Sequence, residues 1–168
     1  MSGLEDLYRE IILDHYRSPR NRGELETPPA HRTEGFNPLC GDEIVIYVDV
    51  DDDDRIQDIK IGGQGCSISQ SSASMMSAAV KGKTVAEAKK LTSTFKSMMS
   101  IHEAEIGGDG SEADHDHHHD DDDDELKLGD LEALRGVVKF PVRIKCATLS
   151  WNTMNEAFEQ LAQARATS

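Results

Sequence analysis

Three cysteines and one aspartate carry the chemical promise of this 168-residue sequence. Cys40 and Asp42 stand two apart in NPLCGDEI, Cys66 closes the glycine run GGQGC, and Cys146 lies in VRIKCATLSW. On an extended chain Asp42 points to the same side as Cys40. Three sulfurs and one oxygen complete a tetrahedral shell for zinc, which imposes little geometry of its own, or form the edge of an iron–sulfur cluster. Such a zinc shell has a net negative charge that Arg143 or Lys145 could offset. No CxxC pair occurs, so spacing alone leaves unconnected core thiols and a single reactive thiol open beside the metal site. An odd cysteine count argues against a disulfide framework.

A second group of potential ligands runs from Asp114 through His115, Asp116, His117, His118 and His119 to Asp120. Imidazoles and carboxylates bind divalent ions, but nothing in this tract fixes their geometry, so it reads as an adventitious binder or a solvated run. His15, His31 and His102 read as structural or surface groups rather than catalytic bases. The glycines at 62–65 match neither GxxxxGK[ST] nor GxGxxG, which removes the nucleotide-binding reading. The pairs Met75/Met76 and Met98/Met99 read as core filler.

The elements needed to position the cysteines follow from periodicity. Leu4, Leu7, Tyr8, Ile11, Ile12 and His15 share one face of a helix that stops at Ser18-Pro19. Residues 30–37 predict an edge strand. EIVIYVDV after Asp42 predicts a second strand, Asp51–Asp54 a solvated turn, and residues 55–61 the returning strand of an antiparallel meander. Gly62 to Cys66 predicts a tight turn into a helix over 67–80. Thr84 and Glu87 form a capping box before the apolar positions Ala88, Leu91, Phe95, Met98 and Met99. Periodicity fails from 101 to 127. Asp130–Arg135 predicts a short helix ending near Gly136, Val137–Pro141 a connector, and Cys146–Ala162 a last helix with Leu149, Met154, Ala157, Phe158 and Leu161 inward. Each cysteine would then lie at the end of an element, Cys146 at a helix N-terminus that favours its thiolate.

Composition sets outer bounds. The length suits one domain, here 1–168, and the 37% apolar content supports a folded core. Ten of the 32 acidic residues fall between Asp109 and Glu125, where there is no Lys or Arg, so most of the net charge of −14 is one tract. Without a cation cluster to release counterions, nucleic acid is an unfavourable partner. No apolar run reaches membrane-spanning length. Glu5, Asp6 and Glu10 break the pattern of a signal peptide, which predicts a cytoplasmic protein.

Four segments carry a family resemblance: LYREIILDHYRSPRNRG at 7–23, NPLCGDEI at 37–44, GQGCSISQSSASMM at 63–76 and LEALRGVVKFPVRIKCATLSW at 131–151. Together they resemble the SufU type within the IscU/NifU N-terminal family of iron–sulfur cluster assembly proteins. The resemblance implies an α+β fold, with a small antiparallel three-stranded sheet packed with about five helices. It implies Cys40, Asp42, Cys66 and Cys146 as metal ligands. It further implies a zinc-dependent sulfur acceptor, with Cys40 taking persulfide sulfur from a SufS-type cysteine desulfurase and stimulating that enzyme. Such a protein is a transfer partner rather than a stand-alone enzyme. The alternative is a non-catalytic scaffold that assembles a transient iron–sulfur cluster and passes it to downstream assembly proteins or apoproteins. Scaffold members of the IscU branch have histidine before the third cysteine, where this chain has Lys145. Residues 103–128 correspond to the insertion of SufU-type members, read here as a mobile acidic, His-rich segment.

Overall fold

The computed structural model describes residues 3–27, 29–107 and 129–167. In chain order they form α1 (Gly3–Arg17), β1 (His31–Asn37), β2 (Asp42–Val50), β3 (Ile56–Gln64), α2 (Ser67–Val80), α3 (Val85–Gly107), a 3₁₀ helix η1 (Gly129–Lys139) and α4 (Pro141–Thr167). The strands make one antiparallel sheet in the order β1-β2-β3. This is the expected α+β architecture, with five helical elements against a three-stranded meander.

Alternation decides which face of the sheet is covered. Asp42, Ile44, Ile46 and Val48 of β2 are buried on one face, while Glu43 is exposed on the other. A bulge between Asp49 and Val50 resets the phase at the far end of the β2–β3 pair. Ile56, Ile59 and Ile61 of β3 then meet the same core. Helix α2 reaches this core through small residues, with Ser69, Ser71, Ser72, Ala73, Ser74 and Ser77 all buried. Their hydroxyls do not go unpaired. Ser72 Oγ donates to Ala147 O at 2.6 Å and accepts from Trp151 Nε1 at 3.1 Å, which joins α2 to α4 beside Cys146. Trp151 also stacks on Phe95 of α3, with ring centroids 4.6 Å apart.

His15 of α1 joins two further elements. Its Nδ1 lies 2.7 Å from Ser74 Oγ of α2 and its Nε2 lies 2.8 Å from Asp130 Oδ2 of η1. The Asp130 carboxylate accepts, which makes Nε2–H the donor there, and Ser74 Oγ also accepts the Arg20 amide at 2.8 Å. His31 is likewise engaged, 2.6 Å from Gln160 Oε1. The structural reading holds for both; the side chain of His102 lies outside the described residues. The four methionines are buried as core filler. The capping box forms, with Glu87 N–H to Thr84 Oγ1 at 3.1 Å and Thr84 N–H to Glu87 Oε1 at 3.0 Å.

Several elements differ from the sequence expectations. Leu7 is 53% exposed rather than part of the α1 core face. Gly62, Gly63 and Gln64 belong to β3, leaving Gly65 and Cys66 as the turn. At Gly63, φ is +105° and an added Cβ would strike the Glu43 carbonyl of the neighbouring strand, so glycine serves a close backbone approach. Helix α3 runs on to Gly107. The segment after Gly136 is not a connector: η1 continues to Lys139 because Leu131, Leu134 and Val137 repeat every third residue, the period of a 3₁₀ helix. The acidic His-rich tract, like nearly all of the segment expected to be a mobile insertion, lies outside the described residues.

Candidate metal and thiol centre

The hairpin between β1 and β2 builds the first part of the site. Asn37 and Asp42 pair across the two strands, and Pro38–Gly41 forms the loop between them. Asn37 O accepts the amides of Cys40 at 3.3 Å and Gly41 at 2.9 Å, while Asn37 Oδ1 accepts the Leu39 amide at 3.2 Å. Gly41 closes the turn at φ +72°, a region that glycine enters without strain. Cys40 is left half-buried on this loop next to Leu39, which is 67% exposed. Asp42, as the first residue of β2, falls on the core-facing side and is fully buried.

A buried carboxylate needs donors. Asp42 Oδ1 accepts the Cys66 amide at 2.9 Å, and Oδ2 has the Asn37 Nδ2 donor at 3.5 Å. The first of these contacts requires glycine at 65: a Cβ there would stand 2.5 Å from Asp42 Oδ1 and 2.7 Å from Ser69 Oγ. Cys66 is the N-cap of α2 and its side chain makes no capping bond, so its sulfur is free to face the site at the positive end of the helix.

Cys146 lies inside α4, which begins five residues earlier at Pro141, so the expectation of a helix-start cysteine is corrected. The cysteine at a helix N-terminus is Cys66 instead. Cys146 is fully buried. Burial raises its pKa above the ordinary thiol value, and hydrogen bonding with Cys40 and Asp42 adds to the effect. Its Sγ donates to Cys40 Sγ at 3.2 Å and has Asn37 Nδ2 at 3.8 Å. One turn before it, Arg143 is exposed, and its pKa is raised chiefly by the charge of Cys66 and further by Cys146 and Cys40. Arg143, one of the two cations named from sequence, is coupled to all three sulfurs.

The ligating atoms of Cys40, Asp42 and Cys146 all lie within 4.8 Å of one another. Cys66 stands outside this group of three; it holds Asp42 through its amide, and its thiol adds to the upward shift at Cys146. The residues fit a metal. About 3.3–3.8 Å separates neighbouring ligand atoms in a tetrahedral zinc shell with bonds of 2.0–2.3 Å. The spread of the three atoms is close to this, and a buried carboxylate with one good donor has a lone pair to offer. Sequence reasoning missed Asn37, although an asparagine opening an NPxC turn is a recognisable signal for a side chain that organises the loop.

Fold and site together define a small α+β protein built around a mixed thiol and carboxylate centre. Residues 7–147 match the family model of the NifU-like N terminal domain, and the chain belongs to that family. It is 43% identical over 155 residues to the zinc-dependent sulfurtransferase SufU of Bacillus subtilis, covering 92% of this chain and 91% of the relative. It is 38% identical over 165 residues to the iron-sulfur cluster assembly scaffold protein IscU of Streptococcus pyogenes, covering 98% and 91%. Among solved structures, a candidate SUF-system assembly scaffold from Fervidobacterium islandicum superposes with a TM-score of 0.70 at 33% identity, covering 92% of this chain and 98% of that one. The chain therefore belongs to the IscU/SufU group of the family, and its Cys40, Asp42 and Cys146 form a cluster that could hold a metal ion. Among the described residues no helix is long and apolar enough to cross a membrane.

Proposed function

We propose that the protein is a cytoplasmic zinc-dependent sulfur acceptor, which takes persulfide sulfur from a SufS-type cysteine desulfurase and stimulates its turnover. The observation that carries the reading is the placement of Cys40: half-buried on a glycine-closed loop, beside an exposed leucine, and 3.2 Å from a buried partner thiol. Cys40, Asp42, Cys66 and Cys146 would hold zinc, which when bound keeps the thiols reduced and ordered.

The chain's own residues supply the transfer. The Cys40 thiolate attacks the outer sulfur of the desulfurase persulfide; a new S–S bond forms on Cys40, the enzyme's S–S bond breaks, and the electron pair leaves on the enzyme cysteine. Arg143 stabilises negative charge on the sulfurs, and Asn37 keeps the loop in register with Asp42. Cys146 stays behind in the core. Cys40→Ala should abolish sulfur acceptance, measured as added sulfur mass on the protein after incubation with desulfurase and cysteine; acceptance at the wild-type rate refutes the assignment.

A second reading, a scaffold that assembles an iron–sulfur cluster and delivers it to apoproteins, is favoured by the scaffold name of the Streptococcus pyogenes relative and by the single oxygen ligand, which would make a cluster labile. Colourless protein containing zinc supports transfer, and brown protein with acid-labile sulfide supports the scaffold.

A further inference from the structure

The side chain of Asn37 does more than shape its turn. It is 6% exposed at the end of β1. Its Oδ1 accepts the Leu39 amide at 3.2 Å, which settles the orientation of the carboxamide: oxygen toward the loop, nitrogen toward the site. Nδ2 carries two hydrogens, and a buried donor without an acceptor is costly. Among the described residues the acceptors it meets are Asp42 Oδ2 at 3.5 Å and Cys146 Sγ at 3.8 Å.

Those two acceptors are two of the three residues whose ligating atoms cluster within 4.8 Å. The third, Cys40, is treated differently. Its amide is tied to Asn37 O, but among the described residues its sulfur takes nothing from the Asn37 carboxamide and has the Cys146 thiol as its hydrogen-bond partner at 3.2 Å. Asp42 is held a second time by the Cys66 amide at 2.9 Å, and Cys146 is built into the body of α4. Cys40 stays half-buried on the hairpin loop, outside this set of donors.

We propose that Asn37 is a positioning residue for the thiol and carboxylate centre, whose carboxamide anchors Asp42 and Cys146 as a fixed pair of ligands and leaves Cys40 as the one that departs. The inference rests on the reading that these residues hold zinc, and it supplies a physical reason for Cys40 being the transferable thiol. The two contacts are long, so to neutral acceptors they steer more than they bind. A ligand must be deprotonated to hold metal, and a donor is roughly twice as strong toward a charged acceptor, so the anchor tightens in the loaded site.

Two substitutions separate the turn from the ligands. Asn37→Ser keeps a side-chain oxygen for the Leu39 amide, as serine does in such turns, and removes the carboxamide donor. Asn37→Ala removes both, and neither adds volume at a buried position. A third measurement needs no variant: the side-chain amide signals of Asn37 in nitrogen-labelled wild-type protein, with NMR-active cadmium in place of zinc.

Zinc affinity, read by competition with a chromophoric chelator, should fall about tenfold or more in both variants and by similar factors. Wild-type affinity in Asn37→Ser overturns the anchor, since the side chain then serves the turn alone. In the zinc-loaded protein the ratio of Cys40 to Cys146 alkylation rates should drop severalfold in Asn37→Ser; an unchanged ratio overturns the selection of Cys40. Cadmium should shift the Asn37 amide protons and couple at least one of them to the metal through the Cys146 sulfur. Amide signals that neither move nor couple overturn the anchor even where a variant fails to fold. Failure of the wild-type protein to bind zinc or cadmium overturns the ligand reading and the inference together, whereas binding that is indifferent to Asn37 overturns the inference alone.

Discussion

Gly65→Ala tests whether backbone packing under Asp42 sets the properties of the site. The new methyl carbon would stand 2.5 Å from Asp42 Oδ1 and 3.1 Å from Asp42 Cα. An ordinary contact is near 3.4 Å, so the carboxylate oxygen must retreat by about 0.9 Å. Its bond to the Cys66 amide is 2.9 Å long, and a retreat of that size breaks it. The cost is about 1–3 kcal/mol for a charged acceptor stripped of its donor. Crowding of a fully buried pair adds about 1–2 kcal/mol. The variant should therefore lose about 2–5 kcal/mol in urea unfolding. It should also bind zinc at least about tenfold more weakly in competition with a chromophoric chelator, because the oxygen ligand is displaced. Gly136→Ala, where the methyl meets nothing within 4 Å, is the control. Stability within about 0.5 kcal/mol of wild type together with unchanged zinc affinity would refute this account of Asp42.

Removing the His15 ring should be equally telling away from the metal. His15→Ala leaves Ser74 with one partner fewer, detaches Asp130 and opens a cavity between α1, α2 and η1. A loss of about 2–4 kcal/mol in urea unfolding is expected, and a loss below about 0.5 kcal/mol would show that the three elements do not depend on the ring. The raised Cys146 pKa sets a pH dependence for the metal-free protein. The folded state keeps that proton above the ordinary thiol value of 9.0, while the unfolded chain releases it there. The unfolded state then binds fewer protons, so this contribution is complete below pH 9 and lost as pH rises from there. The slope is at most about 1.4 kcal/mol per pH unit. Urea midpoints of metal-free Cys146→Ser, compared with metal-free wild type on either side of pH 9, should remove that part of the slope; identical slopes would contradict it. With Cys146 as a ligand, as proposed, zinc would displace its proton, so affinity should rise with pH over the range in which the metal-free thiol stays protonated.

The parts of the fold written in local periodicity were legible. Alternation in EIVIYVDV, the Thr84/Glu87 box and the paired methionines each specify a local geometry that tertiary packing did not override. The glycines were harder. Gly62 and Gly63 read as a turn because glycine permits one, but Gly63 answers to a carbonyl on the adjacent strand, a contact invisible to local sequence. The start of α4 was marked by Pro141, which suits a first helical position, and weighing it more heavily would have placed Cys146 inside the helix rather than at its end. Leu7 fitted the helical stripe but is 53% exposed among the described residues, because a period defines a face and not what packs on it. For the site, the residue types were legible, but Cys40 and Asp42 do not meet by alternation along an extended chain: residues 38–41 form a turn, with Gly41 at φ +72°, and the turn brings them together; the roles of Asn37 and Gly65 depend on distances across the sheet and the α2 entry that spacing does not encode.

The most direct measurement of the central claim combines desulfurase turnover with intact mass of the zinc-loaded protein, using the cognate SufS-type enzyme and cysteine as the sulfur source. Stimulated turnover, with one added sulfur mapped to Cys40 and absent from Cys40→Ala, is the result the proposed function predicts. Unstimulated turnover with no sulfur on Cys40, from active enzyme and fully metallated protein, would contradict it and transfer the function to cluster assembly.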